Sequence, residues 1–183
     1  MRRDFGKWFA KFARIGPILE KNTLVLAMSR KIDAIDRQLL AILQDNAEVP
    51  LAELAARVHL SATPCWRRVQ RLEEEGFITR RVALLDPAML NVAVTVFVSI
   101  KTSRHSQGWF EQFSATVAAI PEVVEFYRMS GDIDYLLRVV VPDIAAYDRV
   151  YKKLIAEADL SDISSSFAME LIKCTTALPL DYV

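Results

Sequence analysis

The chain has 183 residues, of which 52% are hydrophobic, so it is long enough for one or two small domains with apolar cores. No apolar run reaches the roughly 18 residues that a membrane span requires, which argues against a membrane protein. The 23 Lys/Arg and 23 Asp/Glu cancel, but residues 86–183 hold eight basic and thirteen acidic side chains, so that half is a poor candidate for binding phosphate.

Residues 1–28 form a basic N-terminal extension that is set apart from the patterns that follow. Its large apolar side chains could line one face of a helix: Phe5, Trp8, Phe9, Phe12 and Ile15. Such a helix is typical of a membrane-surface or targeting segment. The alternative is that Met28 is the natural start, because the organised pattern begins directly after it. We expect this extension to be loosely attached and assign it no function.

Two amphipathic helices are predicted over residues 33–45 and 51–58. In the first, Asp33 is a candidate N-cap and Asp36 lies in the first turn, where a carboxylate is favoured. The apolar residues of both helices recur at helical spacing and should be buried on one side. They are Ile35, Leu39, Ile42, Leu43, Leu51, Leu54, Ala55 and Val58.

A third helix is predicted to begin after Ser61, a good N-cap, and to end at Gly76. Cys65, Val69 and Leu72 form a buried stripe, and arginines lie away from it. A helix with Ser/Thr at its N-terminus and arginines on its exposed side suits the major groove of DNA. An amphipathic helix with a merely solvated arginine face fits the same pattern.

The segment FITRRVALL, which follows Gly76, alternates as a strand does and is basic near its start. Three helices and a basic strand predict a winged helix-turn-helix over residues 29–85, with double-stranded operator DNA as its partner. Base edges are assigned to Thr63, Arg67 and Gln70. Phosphates are assigned mainly to Arg68, Arg71, Arg80 and Arg81. Ser61 and Trp66 complete the predicted DNA-binding set.

After a linker over residues 86–91, the remaining chain predicts a second domain over residues 92–183. Strands are expected at 92–102, 123–129, 134–141 and 163–174, and helices at 108–120 and 143–158. The order βαββαβ predicts a ferredoxin-like fold, in which two helices cover one face of an antiparallel sheet. The whole chain is therefore expected to be α+β. The open sheet face needs cover, and dimerisation through it is the natural expectation.

One loop of this half, residues 130–135, is longer and more polar than a minimal hairpin requires. Gly131 allows a positive φ, and Asp132 and Asp134 stand two residues apart. Carboxylates beside exposed backbone amides suit a zwitterion, which offers an ammonium and a carboxylate group. An ordinary turn in which Asp132 caps its own backbone explains the loop equally well.

The sequence contains no pattern typical of catalysis or of a metal site. Cys65 and Cys174 lie far apart without metal-ligand spacing, and His59 and His105 are isolated. No nucleophile–base set or phosphate loop accompanies the two carboxylates of the 130–135 loop. We therefore expect no enzyme activity, no metal and no cofactor, and a reducing, cytoplasmic setting.

With both halves in view, the chain resembles the Lrp/AsnC (leucine-responsive/asparagine-responsive) family of bacterial transcription regulators over about residues 32–180. The N-terminal match is IDRQLLAILQDNAEVPLAELAARVHLSATPCWRRVQRLEEEGFI. Further matches are ALLDPAML, RMSGDIDYLLRVVVPDIAAYD and SSFAMELIK. More finely, ALLDP, IKT, IPEV, RMSGDIDYL and SSFAMELIKCTTALPL resemble a subgroup that answers to L-cysteine and activates cysteine-detoxifying genes.

The resemblance implies a cytoplasmic, nucleoid-associated regulator that senses a small amino acid, with L-cysteine as the first candidate. Family members pair through the C-terminal sheet and often assemble further into octamers. Their effector binds between C-terminal domains and changes how dimers stack. The implied effector residues here are Ser130, Gly131, Asp132, Asp134 and Tyr135, with Ser166, Phe167, Ala168 and Met169 opposite.

Two other functions remain open from the sequence. An architectural DNA-binding protein would share the helix-turn-helix but show no effector response. A regulatory subunit of an amino-acid-metabolising enzyme would use the βαββαβ domain, although residues 29–85 are too few for a catalytic domain. A change of assembly or DNA footprint with ligand separates these alternatives from a sensor.

Overall fold

The structure, a computed structural model, describes residues 32–103, 106–156 and 160–183, which divide into two compact units. The predictions for residues 1–28 lie outside the described residues. The first unit contains residues 32–81 and 175–183, and the second lies within 82–174. The predicted domains divide the chain at 85/86 and 91/92, whereas here the chain leaves the first unit at Arg81 and returns to it at Thr175.

Hydrogen bonds explain why the C-terminal segment belongs to the first unit. The side-chain amide of Gln44 donates to the carbonyl of Leu178 (3.2 Å) and accepts from its N–H (2.9 Å). Arg37 donates to the carbonyl oxygen of Val183 at 2.6 Å. Pro179 favours an extended backbone at Leu178, which turns the N–H and C=O of that residue toward the same side.

The first unit is built from three helices, as predicted: α1 (Ala34–Asp45), α2 (Leu51–Arg57) and α3 (Ala62–Glu74). Asp33 is confirmed as the N-cap of α1, because its carboxylate accepts the N–H of Asp36 at 2.8 Å. Gly76 has φ +80, the left-handed conformation expected just beyond a helix end. The core of this unit is formed by Ile32, Leu39, Leu43, Leu54, Ala55, Val58, Cys65, Val69 and Leu72.

The strand predicted after Gly76 is wrong for this chain, since no residue of 77–86 lies in a strand. A strand exists only where another strand accepts its backbone hydrogen bonds. Within the described residues, no other strand pairs with this segment. Val82, Leu84 and Leu85 are therefore exposed.

The second unit confirms the βαββαβ order. Its elements are β1 (Val94–Lys101), α4 (Gln107–Ala118), β2 (Val123–Arg128), β3 (Tyr135–Val141), α5 (Ile144–Ala156) and β4 (Asp162–Phe167). The strands form one antiparallel sheet in the order β2-β3-β1-β4. Both central strands thus lie beside two neighbours, and β2 and β4 are the edges.

Alternation along the central strands places the core on one side of this sheet. Val96, Val98 and Ile100 of β1 are fully buried and pack with apolar residues of α4 and α5. Because successive side chains point to opposite faces, Phe97 projects to the other face, where it is 38% exposed. Arg138, opposite Phe97 in the register, forms an ion pair with Glu125 at 2.5 Å on that open face.

Strand β4 is shorter than the predicted 163–174. It ends at Phe167, and the N–H of Ala168 still donates to the carbonyl of Thr95 at 2.9 Å. Beyond that point β1 supplies no further partner, because β1 begins at Val94. Residues 168–174 are exposed and lie outside any strand.

Two further findings concern the described part of the chain. None of its helices has the length and apolar character needed to cross a membrane. Within 32–103, 106–156 and 160–183, no group of three or more His, Cys, Asp or Glu side chains is arranged to hold a metal ion.

Candidate DNA interface and effector region

Helix α3 presents one polar face to solvent, as its spacing predicts. The predicted stripe of Cys65, Val69 and Leu72 is buried, which leaves the opposite side of the helix free. Arg67 is exposed on that side, and Trp66 is 51% exposed. Ser61 and Thr63 are exposed at the N-terminal end. The exposed face therefore offers both hydrogen-bonding and aromatic groups to a duplex.

Two of the arginines that were predicted to bind phosphates, Arg68 and Arg71, form ion pairs with carboxylates of α1 and its N-cap. Arg68 Nη1 donates to Asp36 at 2.8 Å and to Asp33 at 2.7 Å. Arg71 Nη2 donates to the second oxygen of Asp36 at 2.5 Å. One carboxylate, only 1% exposed, thus bridges two arginines of α3.

The charges of this cluster stabilise one another. Burial acts to raise the pKa of Asp36, but the backbone N–H of Asp33 and the guanidiniums of Arg71 and Arg68 outweigh it and hold the pKa below its usual value. The pKa of Asp33 is also lowered, by the backbone N–H of Asp36 and by Arg68. The hydrogen bonds that Arg68 donates to the carboxylates of Asp36 and Asp33 raise its pKa. The lowered pKa values of Asp33 and Asp36 and the raised pKa of Arg68 all favour the charged forms of these three groups.

The remaining polar residues of the predicted DNA face differ in their partners. Gln70 donates to Glu73 at 3.1 Å, and Arg81 forms an ion pair with Glu73 at 2.7 Å. Arg80 is exposed in the segment after α3. Arg67, Arg68 and Arg71 line one shallow surface pocket together with Asp33 and Pro64. These are the arginines of the predicted set that lie close together.

Asp36 is the residue whose role the sequence pattern did not reveal. From its position in the first turn of α1, the sequence predicts only that its carboxylate interacts favourably with the helix dipole. A capping box is readable from Asp33 and Asp36, three residues apart, and both of its hydrogen bonds are present. The hydrogen bonds to Arg68 and Arg71 join residues that are 32 and 35 positions apart, which local spacing cannot show.

In the second unit, the 130–135 loop is joined by hydrogen bonds to the end of β1. Gly131 has φ +134, a conformation that disfavours a β-carbon, as predicted. Asp134 accepts the N–H of Thr102 through its carboxylate (2.9 Å), and its own N–H donates to Ile100 (2.9 Å). Ser130 and Asp132 are exposed. Asp134 thus ties the loop to the end of β1, and Asp132 remains accessible to a ligand.

Tyr135, predicted to contact the effector, is instead a core residue with only 4% exposure. Its ring stacks on Phe110 at a centroid distance of 5.9 Å and packs against Phe113 and Phe126. Burial raises the pKa of its hydroxyl. Alternation along β3 explains this burial, because Tyr135 is the first residue of the strand and points toward the helices.

The two predicted halves of the effector site do not meet within one chain. The 130–135 loop lies at the end of β1, where Ile100 pairs with Tyr135. Phe167 pairs with Val96, near the beginning of β1. Four residues of strand separate these positions by about 13 Å along β1 alone. Ser166, Ala168 and Met169 are exposed beside Phe167, and Met169 is 95% exposed.

Comparison with known protein families identifies both units. Residues 32–79 match the winged helix-turn-helix DNA-binding family. Residues 95–178 match the Lrp/AsnC ligand binding domain. Each match covers the corresponding half of the architecture described above.

Individual relatives share nearly the whole described chain. The DNA-binding transcriptional activator DecR of Escherichia coli (strain K12) is 49% identical over 151 residues, which cover 82% of this chain and 99% of DecR. An AsnC family transcriptional regulator from Agrobacterium tumefaciens has 62% identity and a TM-score of 0.80, covering 82% of this chain and 99% of that one. A Neisseria meningitidis transcriptional regulator, solved as an L-Met complex, has 35% identity and a TM-score of 0.79 over 83% of this chain and 99% of its own. The chain belongs to the Lrp/AsnC family of DNA-binding transcription regulators.

Proposed function

We propose that this regulator reads its operator with the exposed face of α3 and senses a small amino acid at a site formed between two copies of its sheet domain. The observation that carries the proposal is the separation of the effector residues. Asp132 stands at one end of β1 and Met169 at the other, so a site using both needs two chains. The Lrp/AsnC ligand-binding match over residues 95–178 supports a ligand in this domain.

For DNA, base edges are assigned to Arg67, Thr63 and Gln70. Arg67 and Thr63 are exposed, whereas Gln70 would exchange its hydrogen bond with Glu73 for one to a base. Phosphates are assigned to Arg68, Arg71, Arg80 and Arg81, with Ser61 and Trp66 at the border of the interface. A protein that neutralises several phosphates in this way binds DNA with a strong dependence on salt.

For the effector, Asp132 is the favoured partner of the ligand ammonium group, and the residues around Ser166 lie against it from the second copy. L-cysteine is the first candidate because the loop and the final strand resemble the cysteine-responsive subgroup. Leucine or another small neutral amino acid comes next. The L-Met complex of the Neisseria relative supports an amino acid as the ligand class.

Assembly through the open sheet face supplies the second copy. Phe97 and Tyr127 are exposed there, and a second copy packed on this face would bury apolar surface that a single chain leaves in water. We propose dimers that stack further into octamers, in the cytoplasm and at the nucleoid. No cofactor is assigned besides the amino-acid effector.

The test combines ligand and DNA. Thermal unfolding of the full chain is measured with each of the twenty amino acids under reducing conditions. Operator fragments are selected from a random duplex pool, and each stabilising amino acid is then added in footprinting. A selective shift that also changes the footprint supports the proposal. DNA binding without any amino-acid effect would identify an architectural protein instead.

A further inference from the structure

We propose that Asp36 is a positioning residue for DNA binding: its buried carboxylate aims the guanidiniums of Arg68 and Arg71 at the phosphate backbone, an inference that rests on the proposed contact of these arginines with phosphates. Asp36 lies on α1, whereas the two arginines lie on α3. Each oxygen of the carboxylate receives one arginine, at 2.8 and 2.5 Å. The geometry therefore links the orientation of two cationic groups to one residue outside the recognition helix.

The hydrogen bonds leave both arginines available to an additional anion. Each guanidinium carries five N–H donors, and the bonds to Asp36 and Asp33 use only part of them. The side chain of Arg68 is 29% exposed and that of Arg71 is 39% exposed. Together with Arg67 they line the same surface pocket. The pocket thus presents donors that are oriented before any phosphate arrives.

Preorientation has a direct energetic consequence. A free arginine on a helix surface loses much rotamer freedom when it binds a phosphate. Asp36 has already removed part of that freedom in the folded chain, so the entropy penalty of binding is smaller. Asp36 also has an unfavourable effect, because a carboxylate near DNA repels phosphates and partly cancels the arginine charge.

These two effects predict opposite outcomes when the charge of Asp36 is removed. If Asp36 only neutralises its neighbours, Asp36→Asn leaves the surface more positive, and DNA binds more tightly with a steeper salt dependence. If Asp36 positions the arginines, Asp36→Asn weakens binding and flattens the salt dependence even though it removes a negative charge. Asparagine has nearly the same shape, but its amide nitrogen replaces one carboxylate oxygen and sets a donor against the donors of one arginine.

The experiment measures the affinity of the full chain for a fluorescein-labelled duplex of random sequence over a range of salt concentrations. We expect Asp36→Asn to bind about fivefold more weakly, the effect of about one ordinary hydrogen bond. The slope of log affinity against log salt is negative, and its magnitude should decrease by roughly 0.9 for each phosphate that the variant no longer neutralises. The matched control is Glu53→Gln, which removes the carboxylate of an exposed ion pair with Arg57 in the same unit. It should leave affinity within about twofold.

Equal or tighter binding by Asp36→Asn, with a steeper slope, would overturn the proposal. Because Asp36 also belongs to the capping box, its variant is checked for folding by thermal melting. A second variant, Arg71→Gln, keeps a donor for Asp36 and removes the charge of the arginine. Its salt slope should fall by roughly 0.9. An unchanged slope would show that Arg71 meets no phosphate and would refute the positioning role without relying on the first variant.

Discussion

The DNA-binding face and the effector region differ in how much of each is present in a single chain. The proposed DNA face lies on α3, a helix of 13 residues, and on the segment just after it, and the carboxylates that pair with Arg68 and Arg71 come from the same unit. The effector region is divided between opposite ends of β1. We therefore propose that one folded unit suffices to read DNA, whereas sensing an amino acid depends on assembly.

The first prediction concerns assembly. Phe97→Asp places a charge on the open sheet face and should convert the oligomer to a monomer, because an unpaired carboxylate cannot be buried in an apolar interface. Sedimentation velocity measures the change. The control is Ile155→Asp, which adds the same charge at an exposed position on α5, in the helical layer. If Phe97→Asp remains fully assembled, the open face is not the interface.

The second prediction separates the two carboxylates of the 130–135 loop. Asp132→Asn should weaken amino-acid binding about 10- to 150-fold, because a charge-assisted hydrogen bond is worth about 1.5–3 kcal/mol. Asp134→Asn keeps an acceptor for the N–H of Thr102 and isolates the effect of its charge. Calorimetric titration with L-cysteine, leucine and asparagine measures both. Equal affinity in wild type and Asp132→Asn would show that the Asp132 carboxylate does not bind the ligand and that this part of the loop is an ordinary turn.

The third prediction concerns the arginines of the DNA face. Arg67→Ala should cost about 1–3 kcal/mol on the selected operator and relax specificity at one base pair. Arg80→Ala should weaken all sequences alike and lower the salt slope by about one unit. Arg81→Ala should have the smaller effect of the two, since Arg81 is already paired with Glu73. If none of the three variants changes the affinity for DNA, the assignment of the DNA-binding face is wrong.

Much of the fold could be predicted because its signals are local. Helical spacing located α1 to α3, and apolar, β-branched runs located the strands that form the βαββαβ sheet. The failures share a different cause. The strand after Gly76 and the extension of β4 beyond Phe167 lack pairing partners among the described residues. A sequence pattern shows that a segment can form a strand, but it does not show whether a neighbour exists.

The candidate sites divide in the same way. The exposed face of α3 and the positive φ of Gly131 followed from spacing and residue type. The burial of Asp36 and the docking of Leu178 on Gln44 depend on residues far away in sequence. Tyr135 was assigned to the effector site by the family resemblance, whereas its side chain points into the core.

The smallest predicted effect concerns acid stability of the first unit. The pKa of Asp36 and the pKa of Asp33 are both below the ordinary aspartate value of 3.8. Their ion pairs therefore contribute stability that is complete above pH 3.8 and is lost as the pH falls through the depressed values. Denaturant unfolding of wild type and Asp36→Asn should differ at neutral pH and converge in acid. A difference that persists at the lowest pH would point to a change in packing rather than in charge.

The central claim, that sensing requires two chains, is tested most directly by subunit complementation. Asp132→Asn disables one half of the proposed site, and Met169→Asp places a repelling carboxylate at the other half. Each variant alone should bind L-cysteine, or whichever amino acid wild type binds, at least about tenfold more weakly than wild type. After the two are unfolded and refolded together, a symmetric dimer predicts that about a quarter of the sites are intact, each built from the unchanged halves of different chains. Calorimetry that finds this restored fraction supports the account, and a mixture that binds no better than its parts would contradict it.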